Sequence, residues 1–259
     1  MNILITNDDG VNAPGLLALC EHMGKLGDVY VLAPDKNWSA SGHVKTIHRP
    51  LRVHETTLAN GFLAVTTDGA PSNCVALALL GLIPVGLDLL VSGINPTANV
   101  GFGVTYSGTV TAAMEAVICG IPGIAMSLDS PDNHLGLLDY SQAAQAATEI
   151  ASYVGEHGLK KGIFLNVNVP YRAAGEISGI KITRQGPRVY RDSLVDCADP
   201  RGRPYYWIGG DPPTGVPEDG TDIGALAEGY ISVTLLQLDL TAYRSIDSLS
   251  SLAPDNSQS

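Results

Sequence analysis

Asn7-Asp8-Asp9-Gly10 sets two carboxylates side by side directly after a short apolar run. Adjacent acids repel, and one is driven to hold its proton unless a cation lies between them. A hard divalent cation removes the conflict. Mg²⁺ in particular binds through one or two carboxylates, keeps several waters and takes a phosphate oxygen as a further ligand. The plainer alternative has Asp8 capping the next helix and Asp9 standing as a solvated turn residue. Two more segments place oxygen donors after an apolar run. One is Pro34-Asp35-Lys36-Asn37-Trp38-Ser39-Ala40-Ser41-Gly42-His43; the other is Gly93-Ile94-Asn95-Pro96-Thr97-Ala98-Asn99, followed by Ser107-Gly108-Thr109. Nearly every candidate ligand is an oxygen, and no His–Cys cluster competes. Ser107-Gly108-Thr109 opens the stretch TVTAAMEAV. A helix start offers free N–H groups and a favourable dipole to a phosphate, and two hydroxyls add donors. An ordinary N-cap needs only one of them. Gly101-Phe102-Gly103 lacks the full dinucleotide fingerprint.

The elements that must position these groups alternate. Residues 2–6, 28–33, 87–92, 124–128 and 163–169 read as strands. Their apolar runs are continuous, as in strands buried on both faces. Residues 15–23, with Pro14 near the first turn, 72–80 with Ser72 as N-cap, 109–119 closed by Gly120 and Pro122, and 141–157 read as helices. Residues 44–55 and 62–65 read as a hairpin or edge strands. This alternation implies an α/β fold: a mostly parallel sheet with helices on both faces and right-handed crossovers. Ligands of such sheets bind outside the carboxyl ends of the strands, where the three donor segments fall.

Beyond residue 177 the chain turns rich in Arg, Tyr, Gly, Pro and Asp, and Tyr190, Tyr205, Tyr206 and Trp207 fall close together. An extended β-arm, about 184–220, is expected. Arg and aromatics are typical interface anchors; the alternative is a hairpin packed on its own domain. A short helix at 222–229 and a strand at 230–238 come next. Residues 1–245 read as a single domain with this arm, and 246–259 as a frayed tail. The arm and the C-terminal segment are the expected means of oligomerisation.

Composition narrows the function. The net charge of −11 argues against a nucleic-acid duplex as partner. With 45% apolar and 16% charged residues, global disorder is excluded. No apolar run is long enough to cross a membrane, and the start of the sequence lacks a secretory pattern, so a cytoplasmic protein is expected. Cys20, Cys74, Cys119 and Cys197 form no CxxC pair and read as small buried hydrophobes.

The motifs together resemble the SurE family, the survival proteins with stationary-phase nucleotidase activity. The resemblance runs through ILITNDDG (3–10), APD (33–35), SASGH (39–43), GAPSNCV (69–75), VSGIN (91–95), Asn99, YSGTVT (106–111) with 112–115, NVNVP (166–170), TRQG (183–186), YYW (205–207) and GYISVTLL from Gly229. It covers nearly the whole chain in order. It implies a metal-dependent phosphatase that hydrolyses nucleoside 5′- and 3′-monophosphates to nucleoside and phosphate, with short-chain polyphosphate a substrate of some members. It also implies a Rossmann-like form of the α/β sheet, one Mg²⁺ or Mn²⁺ per subunit and a homodimer or homotetramer joined by exchanged arms. By resemblance the metal ligands are Asp8, Asp9, Ser39 and Asn95. The phosphate-site positions are Asn99, Ser107, Gly108 and Thr109, with Ser41 and Gly42 nearby. Asp8 or Asp9 would also orient the attacking water, and His43 is either a general acid or a structural histidine. Three residues depart from the family's pattern: Thr97 where Gly is common, Gly103 where Asp is common and Asn73 where Asp is common. Two other readings stand beside this one. A haloacid-dehalogenase-like phosphatase would use Asp8 as nucleophile, although its acids are separated by one residue. A non-catalytic nucleotide or metal sensor would bind without turnover.

Overall fold

The structure is a computed structural model that describes residues 1–132 and 134–252. In chain order it runs β1 (Asn2–Thr6), α1 (Pro14–Met23), β2 (Asp28–Pro34), β3 (Val53–Thr57), β4 (Leu63–Thr67), α2 (Pro71–Leu77), β5 (Leu89–Asn95) and α3 (Gly108–Ile118). It continues through β6 (Gly123–Asp129), α4 (Ser141–His157), β7 (Ile163–Pro170), β8 (Ile180–Thr183), β9 (Arg188–Ala198), β10 (Pro204–Gly215), α5 (Asp222–Ala227) and β11 (Ile231–Gln237).

The main sheet has the order β3-β4-β2-β1-β5-β6-β7-β11-β8. Strands β4 to β7 of that order are parallel, β3 and β11 run antiparallel to β4 and β7, and β8 is parallel to β11. Side-chain alternation explains the continuous apolar runs. Ile3 and Ile5 of β1 pack into the cluster that takes Leu16 and Leu19 of α1 and Ile150 of α4. Leu4 between them packs with Val75 of α2 and Val110 of α3. Both faces of the strand are therefore covered, and Ile3, Leu4 and Ile5 are apolar in a row. From β1 the chain moves outward to β2 and then crosses back to β5 on the other side of β1. That reversal opens a crevice at the carboxyl ends of β1 and β5.

Several local expectations need correction. The helix read at 72–80 ends at Leu77 and widens into a π-type turn over Ala78–Leu82, with Gly81 at φ 110°. Pro71 occupies its first turn, so Ala70 is the N-cap, and Ser72 instead donates its hydroxyl to the Val44 carbonyl at 2.5 Å. The strand read from residue 44 begins only at Val53. The Val44 carbonyl is taken by side chains of α2, so the chain there cannot join a ladder. Cys20 and Cys74 are buried as expected, but Cys119 is exposed and Cys197 half-buried on the arm. The arm is an antiparallel pair, β9 with β10, apart from the main sheet. The tail expected to fray at 246–259 lies within a 3-10 helix, Tyr243–Leu252, over its first part; residues 253–259 lie outside the described residues. Among the described residues no helix is long and apolar enough to cross a membrane.

Candidate metal and phosphate site

Asp8 and Asp9 leave the end of β1 and turn at Gly10, whose φ of 100° favours glycine. Asp8 is 4% exposed. Its Oδ1 accepts from the Thr109 hydroxyl at 2.5 Å and its Oδ2 from the Thr109 N–H at 3.2 Å. The N-terminus of α3 thus already holds an anion, and that anion is the Asp8 carboxylate. Space fixes the residue before it: a Cβ on Gly108 would stand 2.8 Å from the Asp8 Cβ. Burial pushes the Asp8 carboxyl up from its ordinary value, against the pull of the Thr109 hydroxyl. Asp9 is pushed up to about 6, first by burial and then by the charge of Asp8, with the Asn37 amide opposing. Among the described residues no Lys, Arg or His forms an ion pair with either acid.

The second donor segment wraps over this pair. The Trp38 N–H donates to the Asp8 carbonyl at 2.7 Å. Asn37 donates to Asp9 Oδ1 at 3.2 Å and accepts from the Ser39 N–H at 2.8 Å. Ser39 is exposed and its hydroxyl has no protein partner. The Ser41 Oγ is buried without a partner and lies 3.2 Å from where a Gly108 Cβ would be. The Gly42 N–H is spent on the Tyr106 carbonyl at 2.9 Å.

Asn95 ends β5 and is 9% exposed. Its amide nitrogen donates to the Thr97 carbonyl at 2.5 Å, which leaves its side-chain oxygen for a ligand. Thr97, one of the departures, thus orients the candidate ligand. Asn99 is turned toward the ends of β6 and β7: it donates to the Ser127 hydroxyl at 2.9 Å, and its backbone is bonded by Asn166 and Asn168. Ser107 caps α3 by accepting from the Val110 N–H at 3.1 Å, so its own O–H is free to donate.

Asp8, Asp9, Ser39, Ser41, Gly108 and Thr109 therefore converge on one crevice. The donors of Thr109 serve Asp8, however, and the Gly42 amide serves Tyr106. The donor set fits a hard cation: two raised carboxylates, an amide oxygen and a hydroxyl. No group of three or more His, Cys, Asp or Glu that could hold a metal gathers anywhere among the described residues, so a cation here rests on the two aspartates with amide and hydroxyl oxygens. A cavity of about 480 Å³ adjoins the crevice, lined by Asp9, Asp35, Asn37, Pro96 and Tyr140 among others.

Two residues of consequence were not singled out from the sequence. Glu115 on α3 is 2% exposed and meets His43 Nε2 at 2.7 Å and Lys45 Nζ at 3.1 Å. A lone acid within an apolar helical run was the available signal, since a buried carboxylate requires partners. Asp222, wholly buried, accepts from the N–H groups of Gly101 and Gly186 and so ties the loop after β5 to the base of the arm. Nothing in its spacing marks that role.

Comparison with known proteins gives a consistent picture. The family model described as survival protein SurE matches residues 3–192. A relative from Herpetosiphon aurantiacus, named 5′-nucleotidase SurE, is 52% identical over 241 residues, 93% of this chain and 94% of that protein. One of the same name from Chloroflexus aggregans is 49% identical over 249 residues, 96% and 98% of the two chains. The crystal structure of the SurE protein from Aquifex aeolicus superposes with a TM-score of 0.81 at 39% identity, covering 97% of this chain and 99% of that one.

Proposed function

This chain belongs to the survival protein SurE family, and we infer from that premise that it is a divalent-metal-dependent 5′-nucleotidase that hydrolyses nucleoside monophosphates to nucleoside and phosphate. The observation that carries the reading is the Asp8–Asp9 pair at a strand end, one carboxylate buried and the other half-buried, with no cationic side chain among the described residues paired to them. Such a pair is stable at neutral pH once a cation shares it. One Mg²⁺ or Mn²⁺ per subunit would be held by Asp8, Asp9, the free Asn95 oxygen and the Ser39 hydroxyl. When bound, the cation supplies Lewis acidity toward a phosphate oxygen and lowers the pKa of a bound water.

The remaining roles depend on which donors are free. Thr109 fixes Asp8 in place and is a positioning residue in this reading, not a phosphate ligand. The hydroxyls of Ser41 and Ser107 keep donors for the phosphate oxygens. The second N–H of the Asn99 amide is available to the same end. Donors held this way stabilise charge as it develops on the phosphoryl group. Asp9, bound on one oxygen by Asn37, has its other oxygen free to orient a water. Both Asp8 oxygens already accept from Thr109, which suits a fixed ligand better than the attacking nucleophile of a haloacid-dehalogenase-like enzyme. The neighbouring cavity is large enough for a nucleoside.

Residues 1–245 act in this reading as one unit whose arm joins a homodimer or homotetramer. The exposure of Trp207 and Ile208 on the arm, and of Tyr243, Ile246, Leu249 and Leu252 on one face of the 3-10 helix, supports it. Cytoplasmic residence is part of the same reading, supported by four unpaired cysteines.

Phosphate release from a panel of nucleoside 5′- and 3′-monophosphates and short-chain polyphosphate tests it, first with EDTA and then with Mg²⁺ or Mn²⁺ restored. Metal-dependent release is expected, and the panel ranks substrates. Binding of nucleotide without release under any metal would replace the enzyme with a sensor. A phosphoenzyme trapped on Asp8 would replace the mechanism.

A further inference from the structure

We infer that Glu115 is a positioning residue, the centre of a two-helix clamp that sets the loop of residues 39–45 and with it Ser39 and Ser41. This rests on the reading that the loop carries a metal ligand and a phosphate donor. The loop cannot hold its own shape. It has no regular structure, and both Ala40 and Gly42 adopt left-handed backbone, with φ of 56° and 60°. A non-glycine residue there is strained and persists only where its surroundings impose it. Two helices impose it here. From α3, the Thr111 hydroxyl shares its proton between the Ser107 carbonyl of its own helix at 2.8 Å and the Gly42 carbonyl at 3.0 Å, while Glu115 Oε2 meets His43 at 2.7 Å and Oε1 meets Lys45 at 3.1 Å. From α2, Ser72 and the Asn73 amide both donate to the Val44 carbonyl, at 2.5 and 3.0 Å.

Glu115 lies two turns along the helix whose first residues hold Asp8. One rigid element thus registers both the carboxylate and the loop that faces it. Asn73 gains a reason by the same logic. An ionised carboxylate at this position could not donate to the Val44 carbonyl and would oppose it. The amide makes a tie that the acid would not. His43 is thereby a partner of the clamp, its Nε2 facing Glu115.

The full-length protein tests this with Glu115→Ala, Glu115→Gln and Asn73→Asp beside wild type. Mn²⁺ affinity is read from the electron paramagnetic resonance of free Mn²⁺, and kcat and KM are measured with adenosine 5′-monophosphate. Glu115→Ala is expected to weaken Mn²⁺ binding and raise KM by about tenfold or more, with kcat at saturating metal changing by less than about threefold. Glu115→Gln keeps an oxygen for His43 and should restore most of the loss. Asn73→Asp should fall between them. A folded Glu115→Ala protein with Mn²⁺ affinity and KM within about twofold of wild type overturns the clamp. So does a fall in kcat alone. If Glu115→Ala does not fold, unchanged Mn²⁺ affinity in both Asn73→Asp and Thr111→Val overturns it. A wild-type protein that neither binds Mn²⁺ nor releases phosphate overturns the nucleotidase reading instead.

Discussion

The crevice between β1 and β5 and the β9–β10 arm are built on opposite terms. In the crevice the polar groups serve one another, with Asp8, Asn95 and Thr109 buried: α3 holds Asp8, Asn37 holds Asp9 and the next loop, and Thr97 holds Asn95. On the arm the apolar groups are exposed, with Leu194, Trp207 and Ile208 at 66%, 64% and 87%. A two-stranded sheet with no layer packed on it is marginal in water. The contrast teaches where each region finds its order. The protomer alone organises the crevice down to single hydrogen bonds, whereas the arm carries the composition of an interface and leaves it uncovered. Changes in the crevice should therefore act on chemistry in the isolated protomer. Changes on the arm should act through concentration.

Asp8→Asn gives the largest expected effect. The substitution keeps the volume and an acceptor for Thr109 but removes half of the charge offered to the cation. A loss of at least about 100-fold in kcat/KM, or about 2.7 kcal/mol, is expected. The metal-free variant should be no less stable than wild type at neutral pH, because a carboxylate raised by burial is gone. Wild-type turnover at saturating metal would place the active centre elsewhere. Lost turnover with a lost fold would make Asp8 structural.

The next effect is a pH dependence carried by Asp9 in the crevice. Asp9 titrates at about 6 in the folded chain against an ordinary 3.8. Between those values the folded state binds more protons than the unfolded one, so stability falls as pH rises. Below 3.8 the contribution is fully present, and by pH 7 it is lost. The group is partly solvated, which holds the change to about 1–2 kcal/mol. Thermal melts of metal-free wild type and Asp9→Asn across about pH 4–7 should differ in slope by this amount, and added Mg²⁺ or Mn²⁺ at neutral pH should recover the wild-type loss. Parallel melts would mean that the pair is more hydrated than its burial indicates.

Thr109→Val is smaller still. It leaves the Asp8 Oδ1 without the hydroxyl that now sits at 2.5 Å. A buried charged acceptor deprived of one donor costs about 1–2 kcal/mol, so turnover should fall about tenfold while the metal requirement persists. An effect as large as that of Asp8→Asn would return Thr109 to the phosphate site.

How these residues were legible differs by region, for a physical reason. The strands of the central sheet are covered on both faces, so burial writes itself as uninterrupted apolar runs such as Ile3-Leu4-Ile5, and the polar residues at the end of each run mark the crevice. Asp8 and Asp9 could be read because like charges placed side by side demand an explanation. Their holders could not. Whether the Thr109 hydroxyl faces a phosphate or the Asp8 carboxylate depends on the register of α3 against β1, a tertiary fact. Glu115 depends likewise on partners 72 and 70 residues away, and Asp222 on partners 121 and 36 residues away. Ser72 misled because Pro71 ahead of it moved the cap to Ala70. The arm was legible as a hairpin by composition, but what covers it is not written within one chain.

The smallest expected effect is the most diagnostic of the contrast. Ile208 lies on β10 and is 87% exposed, so Ile208→Ser removes little that the protomer buries. In dilute protein, where light scattering reports the protomer mass, unfolding should change by no more than about 0.5 kcal/mol, and kcat should hold. The same substitution should move the scattering mass toward the protomer in concentrated protein, because an exposed apolar anchor on a bare hairpin has its value only against a partner. A destabilisation of about 2 kcal/mol or more in the dilute protomer would instead show that the arm packs on its own chain, since only a side chain with buried neighbours can cost that much to shorten. The two regions would then differ in composition alone, and any self-association would have to be sought at the 3-10 helix.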